Sequence, residues 1–244
     1  MIISYQSNFI FVHLHKTGGD SIAAALAPQL GREDFILTND FKDWTQRIRS
    51  GSRIAALQSL RKHSTAMDIQ RVVPATQWAE SFKFAFVRHP VGRAVSLYKY
   101  AARKEEERRQ LLIRNIWYLT PPGRRTDPRK WRSVRAYIET GSFSEFIRHP
   151  VLEDDRTMQP QADSLCDSGG RLLVDFVGKF EQLQEDFSTV QERLGLPHRS
   201  LGWHNASNPT VASTLQVTDD DRAFLADRFK PDFDRFGYDP NADA

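Results

Sequence analysis

Two short segments of the sequence combine small, hydroxyl and cationic residues in a way that is typical of phosphate binding. The first is HKTGGDS, in which Lys16 and Thr17 precede two glycines and Ser21 follows them. Glycines let the backbone approach an anion, and unpaired N–H groups at the start of a following helix attract negative charge. The segment therefore predicts a site for a phosphate or phosphosulfate group. A Gly-Gly turn beside a solvated lysine is the structural alternative.

The second segment, FVRHPVGRAVSLY, repeats this geometry with different chemistry. Arg88 stands at the end of an apolar run, where a guanidinium can bind a phosphate through two parallel N–H bonds. Ser96 follows inside the next predicted helix, where a solvent-facing serine is the default interpretation. Arg93 is better explained by an ion pair with an acidic residue of a neighbouring element. Together the two segments predict two separate sites for anions.

Both segments lie between a predicted strand and a predicted helix. The apolar runs at residues 8–14, 82–87 and 172–180 are typical of strands buried on both faces, and each is followed by a helical pattern. This alternation predicts an α/β fold with a largely parallel sheet. Thr218 is predicted to be the N-cap of a C-terminal helix. We expect one domain over residues 1–244.

The composition restricts the possible classes of function. A net charge of +3 over 244 residues gives no reason to expect a nucleic-acid partner. Cys166 is the single cysteine, so no disulfide scaffold can form within this sequence. The first residues lack the pattern of a signal peptide, and no stretch approaches the roughly 20 apolar residues of a membrane span. We therefore expect a cytoplasmic protein without an integral membrane segment.

The two segments together resemble the paired phosphate-binding motifs of sulfotransferases that use 3′-phosphoadenosine 5′-phosphosulfate (PAPS). The likeness is greatest to the Golgi-type carbohydrate branch, which includes the uronosyl 2-O-sulfotransferases, and to its bacterial relatives. It extends in the same order through KHSTAMDI, VGKFEQLQEDFSTVQERLGL, HNASN and DFDRFGYD, and so covers nearly the whole chain. The resemblance implies an α/β, P-loop-like three-layer fold with a central, mainly parallel sheet flanked by helices.

By this resemblance, the first motif would bind the 5′-phosphosulfate of PAPS and the second would bind its 3′-phosphate. The residues implied are Lys16, Thr17, Gly18, Gly19 and Ser21 for the first group, with Asp20 inside the same loop, and Arg88 and Ser96 for the second. Asn205 and Ser207, in HNASN, fall in a loop that lies near the nucleotide in the family. A turn capped by Asn and Ser is the structural alternative for these two residues.

Asp20 is a departure from the family pattern. That position more often carries a hydroxyl residue, and a carboxylate there repels a bound anion unless it turns away to cap the helix. This keeps open a non-catalytic module that binds 3′-phosphoadenosine 5′-phosphate (PAP) or a polyanion. A phosphotransferase or kinase is the other alternative, although the lysine precedes the glycines and no magnesium-holding acidic residue is evident.

Sulfuryl transfer requires a cation at the leaving phosphate and a base for the acceptor hydroxyl. Lys16 is the candidate cation. The resemblance implies that His63, in RKHSTAMDI, is the base, and His15 is the second candidate. Glu181, in GKFEQL, is interpreted as structural. No cluster has the spacing of metal ligands, so we expect no metal cofactor.

The acceptor implied by the resemblance is a hydroxyl group of a carbohydrate. Between residues 99 and 135 there are twelve Lys and Arg against four Asp and Glu, which favours an anionic acceptor. Trp117, Tyr118 and Trp131 lie among these cations and could stack on sugar rings. A solvated helix face with buried aromatic residues is the structural alternative. A small molecule, a lipid-linked sugar and a tyrosine peptide remain open as acceptors.

Overall fold

The computed structural model describes residues 1–37, 57, 59–113, 130–202 and 215–242, with the backbone alone at 111–113. Its strands are β1 (Ile2–Ser4), β2 (Phe9–Val12), β3 (Phe35–Ile36), β4 (Phe82–Val87) and β5 (Phe176–Lys179). Its α-helices are α1 (Gly19–Leu26), α2 (Ala66–Val72), α3 (Ala75–Glu80), α4 (Pro90–Ile113), α5 (Arg132–Glu139), α6 (Phe143–Ile147), α7 (Gln161–Leu165), α8 (Leu183–Arg193), α9 (Asp219–Arg228) and α10 (Lys230–Phe236). Short 3-10 helices lie at Ala27–Gln29, Pro150–Leu152, Arg156–Met158 and Phe180–Gln182.

The chain forms two compact units, each made from two separate stretches of sequence. The first consists of the described residues within Met1–His89 and Gln161–His204. The second consists of those within Pro90–Pro160 and Asn205–Ala244. All five strands and both predicted phosphate-binding loops belong to the first unit, up to the turn at Arg88.

The five strands form one sheet in the order β3-β1-β2-β4-β5. Strands β2, β4 and β5 are parallel, whereas β1 pairs antiparallel with both β2 and β3. The predicted α/β fold with a mainly parallel sheet is therefore confirmed. The register pairs Val12 with Ala85 and Val87 with Lys179, so the carboxyl ends of the three parallel strands lie at one edge of the sheet.

Both faces of this sheet are buried, which explains the continuous apolar runs in the sequence. Because side chains alternate along a strand, five phenylalanines of β2 and β4 share one face, and the four fully buried ones pack with residues of α1 and α8. The members of this cluster include Phe9, Phe11, Phe84, Phe86, Ile22, Leu26, Phe187 and Val190. On the opposite face Ile10, Val12, Ala85 and Val87 have no exposure at all. Burial of each large side chain contributes roughly 1.5–3 kcal/mol.

The structure refines the predicted strand boundaries. The run at 82–87 forms β4 as predicted, and the run at 8–14 contains the shorter β2. The run at 172–180 forms a parallel strand only from Phe176, because Leu172 makes an isolated antiparallel bridge with Cys166. Strands β1 and β3 were not predicted from the sequence.

The second unit is a helical assembly around α4, which is 24 residues long and begins at Pro90. Its core contains side chains of α4, α5, α6, α9 and α10. Arg93 forms the predicted structural ion pair: it is buried, lies 3.7 Å from Asp232 and stacks over Phe229. Within the described ranges, no helix combines the length and apolar composition needed to cross a membrane.

The predicted cap of the C-terminal helix is confirmed. The Thr218 hydroxyl accepts a hydrogen bond from the Asp221 backbone N–H at 3.1 Å, and Asp221 accepts one from the Thr218 N–H. Asp221 is fully buried and also accepts a 2.5 Å hydrogen bond from Arg148. The segment that the sequence predicted as a single helix forms two, since α10 begins at Lys230, two residues after α9 ends. Thr218 thus holds the carboxylate of Asp221 in the position where it binds Arg148.

The substitution Thr218→Ala should lower the free energy of unfolding by about 1 kcal/mol, because it leaves the Asp221 N–H without its hydroxyl acceptor. Urea denaturation followed by circular dichroism measures the change. Thr189→Ala, at a threonine within α8 whose hydroxyl bonds back to Glu185, is the matched control and should change stability little. Equal effects of the two substitutions would contradict the assigned cap.

Candidate functional site

The first predicted phosphate loop connects the end of β2 to the start of α1. Its backbone takes a left-handed conformation at Lys16, with φ of 65°, and again at Gly18, with φ of 75°. A left-handed conformation costs a non-glycine residue about 1–2 kcal/mol. Lys16 is one of two non-glycine residues with positive φ in the described chain, the other being Asn8. Such strain is typical of residues placed for function.

The hydroxyl residues of this loop occupy different environments. Thr17 is 1% exposed, and its hydroxyl donates a 3.2 Å hydrogen bond to the Leu14 carbonyl, which closes the loop. Ser21 lies in the first turn of α1 and is 8% exposed. It lines an open pocket of about 340 Å³ together with Ala24, Ala25, Arg199, Ser200 and Gly202. The Thr17 hydroxyl therefore helps to hold the shape of the loop.

Both glycines of the loop are required by packing as well as by the backbone. A Cβ atom on Gly18 would lie 2.9 Å from the Leu183 side chain and 3.2 Å from the ring of Phe180. A Cβ atom on Gly19 would overlap the ring of His13. The loop thus lies directly against three side chains of the same unit, which hold its shape before any anion arrives.

The second predicted phosphate residue, Arg88, follows β4 in a turn that is fixed by two side chains. The buried amide of Gln161 accepts a hydrogen bond from the Arg88 N–H at 2.9 Å and donates one to the Arg88 carbonyl at 2.8 Å. The Glu181 carboxylate accepts a 2.8 Å hydrogen bond from the His89 N–H. Glu181 therefore has the structural role that the sequence suggested, and it acts on the backbone of this turn.

Phe180 connects the two loops. Its ring packs against Gly18, as the steric contact above shows, and the guanidinium of Arg88 stacks over the same ring at 4.1 Å from its centre. This contact follows from the sheet, because β2, β4 and β5 all end at the edge where Phe180 begins its 3-10 helix. The Lys16 loop and the Arg88 turn therefore share one edge of the first unit.

Asp20 does not present an uncompensated charge to this edge. Its carboxylate accepts a 2.5 Å hydrogen bond from the ammonium group of Lys62. Asp20 does not cap its own helix, which was one alternative left open by the sequence, since α1 is preceded by Gly18 without a side-chain cap. The cation beside Asp20 offsets the repulsion that its carboxylate would exert on a bound anion.

Three histidines cluster beside the loop. The ring of His63 stacks on that of His15 with 3.6 Å between centres and meets the ring of His13 edge-on at 4.7 Å. Nδ1 of His63 lies 2.8 Å from the His13 carbonyl oxygen. A carbonyl oxygen only accepts, so Nδ1 carries the hydrogen, and Nε2 of the neutral ring is the nitrogen that can take a proton.

The surroundings of His63 favour its neutral form. Burial, followed by the positive charge of His15, lowers the pKa of His63 from 6.5 to about 2. Burial, followed by the nearby amino group of Met1, also lowers the pKa of His13 well below its ordinary value. In the free protein both rings are therefore neutral at physiological pH, which is the form that a general base requires.

The remaining predicted site residues are not part of this arrangement as described. Ser96 is half-buried on α4 and belongs to the second unit. Asn205 and Ser207 lie outside the described residues, as do Trp117 and Tyr118. Among the described residues, no group of three or more His, Cys, Asp or Glu could hold a metal ion.

Three residues of the site were missed from the sequence: Lys62, Gln161 and Phe180. Lys62 had one available signal, since it precedes the predicted base and carries the charge that Asp20 requires. Gln161 and Phe180 act through contacts with Arg88, which is distant in sequence from both, so no local pattern marks them.

Comparison with known families identifies one family for the chain. The chain matches the family model described as Sulfotransferase family over residues 1–239, which includes both loops, the histidine cluster and both units. No curated protein and no solved structure shows a significant match to the chain.

The low pKa of His63 makes the stability of the protein depend on pH. Below pH 6.5 the unfolded chain binds a proton at this residue, whereas the folded chain does not do so until about pH 2. Stability therefore falls as the pH is lowered through this window. Between pH 7 and pH 5, His63 alone should account for a loss of about 2 kcal/mol.

Urea denaturation of the wild type and of His63→Gln at both pH values measures this loss. Glutamine can still donate a hydrogen bond to the His13 carbonyl, so the variant should fold and should lose less stability on acidification. An identical pH dependence of the two proteins would show that His63 is not held neutral by its surroundings.

Proposed function

The chain belongs to the sulfotransferase family, and we propose that it transfers a sulfuryl group from PAPS to a hydroxyl group of a carbohydrate. Family membership supports sulfuryl transfer in general, whereas the donor, the acceptor and the roles of individual residues are the proposal. The observation that carries it is the shared edge, where the Lys16 loop and the Arg88 turn both contact Phe180.

PAPS suits this edge because it carries two separated anionic groups. In the proposed arrangement the phosphosulfate lies at the Lys16 loop, where Gly18, Gly19 and Ser21 lead into the first turn of α1. The 3′-phosphate lies at Arg88, whose guanidinium lies over the ring of Phe180 at 4.1 Å from its centre. Ser96, Asn205 and Ser207 remain proposed contacts to the same nucleotide.

His63 is the proposed base and Lys16 the proposed stabiliser of the leaving group. Nε2 of His63 takes the proton of the acceptor hydroxyl while the acceptor oxygen forms its bond to sulfur. The bond between sulfur and the bridging oxygen of the donor breaks in line, so that PAP leaves with the additional negative charge. The Lys16 ammonium offsets that charge.

A base with a pKa of about 2 is weak, but binding of the donor should raise the pKa of His63. Anionic groups at the Lys16 loop favour the protonated form of a nearby imidazole and so raise its pKa. His63 is thus neutral before the donor binds and becomes a stronger base beside it. His15, which stacks on His63, is the second candidate for the same role.

The carbohydrate acceptor is supported by one aromatic surface in the second unit. Trp131 is 37% exposed and stacks parallel to Tyr100, and the cations of Arg103 and Lys104 lie within 5.8 Å of the Tyr100 ring centre. Exposed aromatic rings flanked by cations suit an anionic sugar. Both cations also form ion pairs with Glu107. The proposal of a carbohydrate acceptor therefore rests more on the exposed ring of Trp131 than on net positive charge.

PAP should stabilise the protein more than ATP with magnesium does, because it presents phosphates to both loops. At 100 times its Kd, PAP should add about 2.7 kcal/mol and raise the Tm by several degrees in a thermal-shift assay. A larger shift with ATP and magnesium would favour the alternative of a phosphotransferase.

Substitutions at the site should separate catalysis from donor binding. Lys16→Ala and His63→Ala should lower kcat by about 100-fold or more, whereas Arg88→Ala should chiefly raise the Kd for PAP by about 10-fold to 100-fold. The measurements are calorimetric binding of PAP and transfer of radiolabelled sulfate from PAPS to uronic-acid-containing glycans, neutral glycans and a tyrosine peptide.

The matched controls for these substitutions are His198→Ala and Arg171→Ala, whose side chains are 60% and 78% exposed. Neither should change transfer or binding. Full turnover by His63→Ala at saturating substrates would show that His63 is not the base. Labelling of the tyrosine peptide instead of the glycans would exclude the proposed acceptor class. PAP binding without transfer to any acceptor would favour the non-catalytic module.

A further inference from the structure

Asp20 and Lys62 come from distant parts of the sequence and meet at the first turn of α1. Nζ of Lys62 lies 2.5 Å from Oδ1 of Asp20. The Lys62 side chain is 11% exposed and that of Asp20 is 42% exposed. Because the stem of Lys62 is largely buried, its ammonium group is confined, unlike that of a solvated surface lysine. The pair therefore links two backbone segments rather than two mobile side chains.

One of these segments carries the proposed base. Residues 60–64, which we name the histidine turn, are closed by two hydrogen bonds between Arg61 and Ser64. The Ser64 N–H donates to the Arg61 carbonyl at 3.0 Å, and the Arg61 N–H donates to the Ser64 hydroxyl at 2.9 Å. Lys62 and His63 are adjacent at the centre of this closed turn, so a force on one is transmitted to the other.

The histidine turn contacts the phosphate loop and the end of β2 through His63 and Lys62. The ring of His63 donates a hydrogen bond to the His13 carbonyl, meets the His13 ring edge-on and stacks on His15. Lys62 forms the ion pair with Asp20. This pair fixes the turn through a residue other than the base, so it can hold the imidazole in place while the ring exchanges its proton.

We propose that Asp20 and Lys62 form a positioning pair for the sulfuryl-transfer site. Asp20 holds Lys62, and Lys62 holds the histidine turn, and with it His63, beside the start of α1. The inference rests on the proposed function, since it takes His63 as the base. It explains why a carboxylate is tolerated in an anion-binding loop, where it would otherwise oppose the donor.

Asp20→Asn tests the proposal against simple repulsion, because the two ideas predict opposite results. Loss of a positioning pair should lower kcat by about 10-fold to 100-fold and leave the Kd for PAP unchanged. Relief of repulsion would instead tighten the binding of PAP and leave kcat unchanged or higher. Tighter binding without loss of kcat, weaker binding of PAP, or no change in either quantity would overturn the proposal.

Lys62→Met and the double variant Asp20→Asn/Lys62→Met complete the test. If the two residues act as one unit, the double variant should lose no more activity than the worse single variant. Asp20→Glu, which retains the carboxylate, should recover most of the kcat lost in Asp20→Asn. Additive losses in the double variant, or no recovery with glutamate, would contradict a pair. Asp234→Asn and Lys230→Met remove an exposed ion pair at 2.9 Å and serve as controls.

A readout without turnover keeps this inference separate from the proposed function. The rate at which diethyl pyrocarbonate modifies His63, followed by peptide mass spectrometry, reports how firmly the histidine turn is held. Modification should be slow in the wild type and at least about 5-fold faster in Asp20→Asn and Lys62→Met, since a group that opens more often reacts more often. Equal rates in all three proteins would overturn the positioning pair even if sulfate transfer is demonstrated. A wild type that binds no PAP but shows this difference would overturn the proposed function alone.

Discussion

The parallel pairing of β2, β4 and β5 is the constraint on which the site depends. Three strands in register end at one edge, and the chain leaves that edge as the Lys16 loop, the Arg88 turn and the Phe180 helix. A slip of one residue would turn the phenylalanines of β2 and β4 away from α1 and α8. The hydrophobic core therefore fixes the register, and the register in turn fixes which groups meet at the edge.

Charge at this edge is balanced rather than accumulated. The carboxylate of Asp20 faces Lys62, that of Glu181 binds a backbone N–H, and burial keeps His13 and His63 neutral. Because these charges are compensated, the groups that attract an anion are the backbone N–H groups and the cations of the two loops. Such a site can be nearly neutral overall and still favour a ligand with two anionic groups, as proposed for PAPS, because its charges are fixed in direction.

Much of the fold could be predicted because its signals are local. The apolar runs, the glycine turn and the Thr218 cap each lie within a few neighbouring residues, and the structure contains all of them. The antiparallel strand β1 could not be predicted in this way, because its three residues form a strand through their neighbours in the sheet. The same holds for the 3-10 helices and α7 in the stretch from His149 to Gly170, which were not predicted from the sequence.

The site follows the same division. The residues proposed to touch the donor are marked by motifs, but those that hold them come from other parts of the chain. Gln161 clamps the Arg88 backbone from 73 positions away, and Lys62 reaches Asp20 across 42 positions. Contacts of this kind depend on the completed fold. From the sequence alone, Asp20 predicted weaker donor binding because its contact with Lys62 was not evident.

The packing of the two loop glycines also affects how the loop can be studied. A methyl group at Gly18 or Gly19 would meet Leu183, Phe180 or His13 before it met any ligand. An inactive alanine mutant at either position would therefore be ambiguous, since misfolding of the edge and loss of an anion contact would look alike in an assay. Evolutionary retention of these glycines would be equally uninformative about chemistry. Side chains such as Lys16, which can be shortened without intruding on a neighbour, are the better probes of what the edge binds.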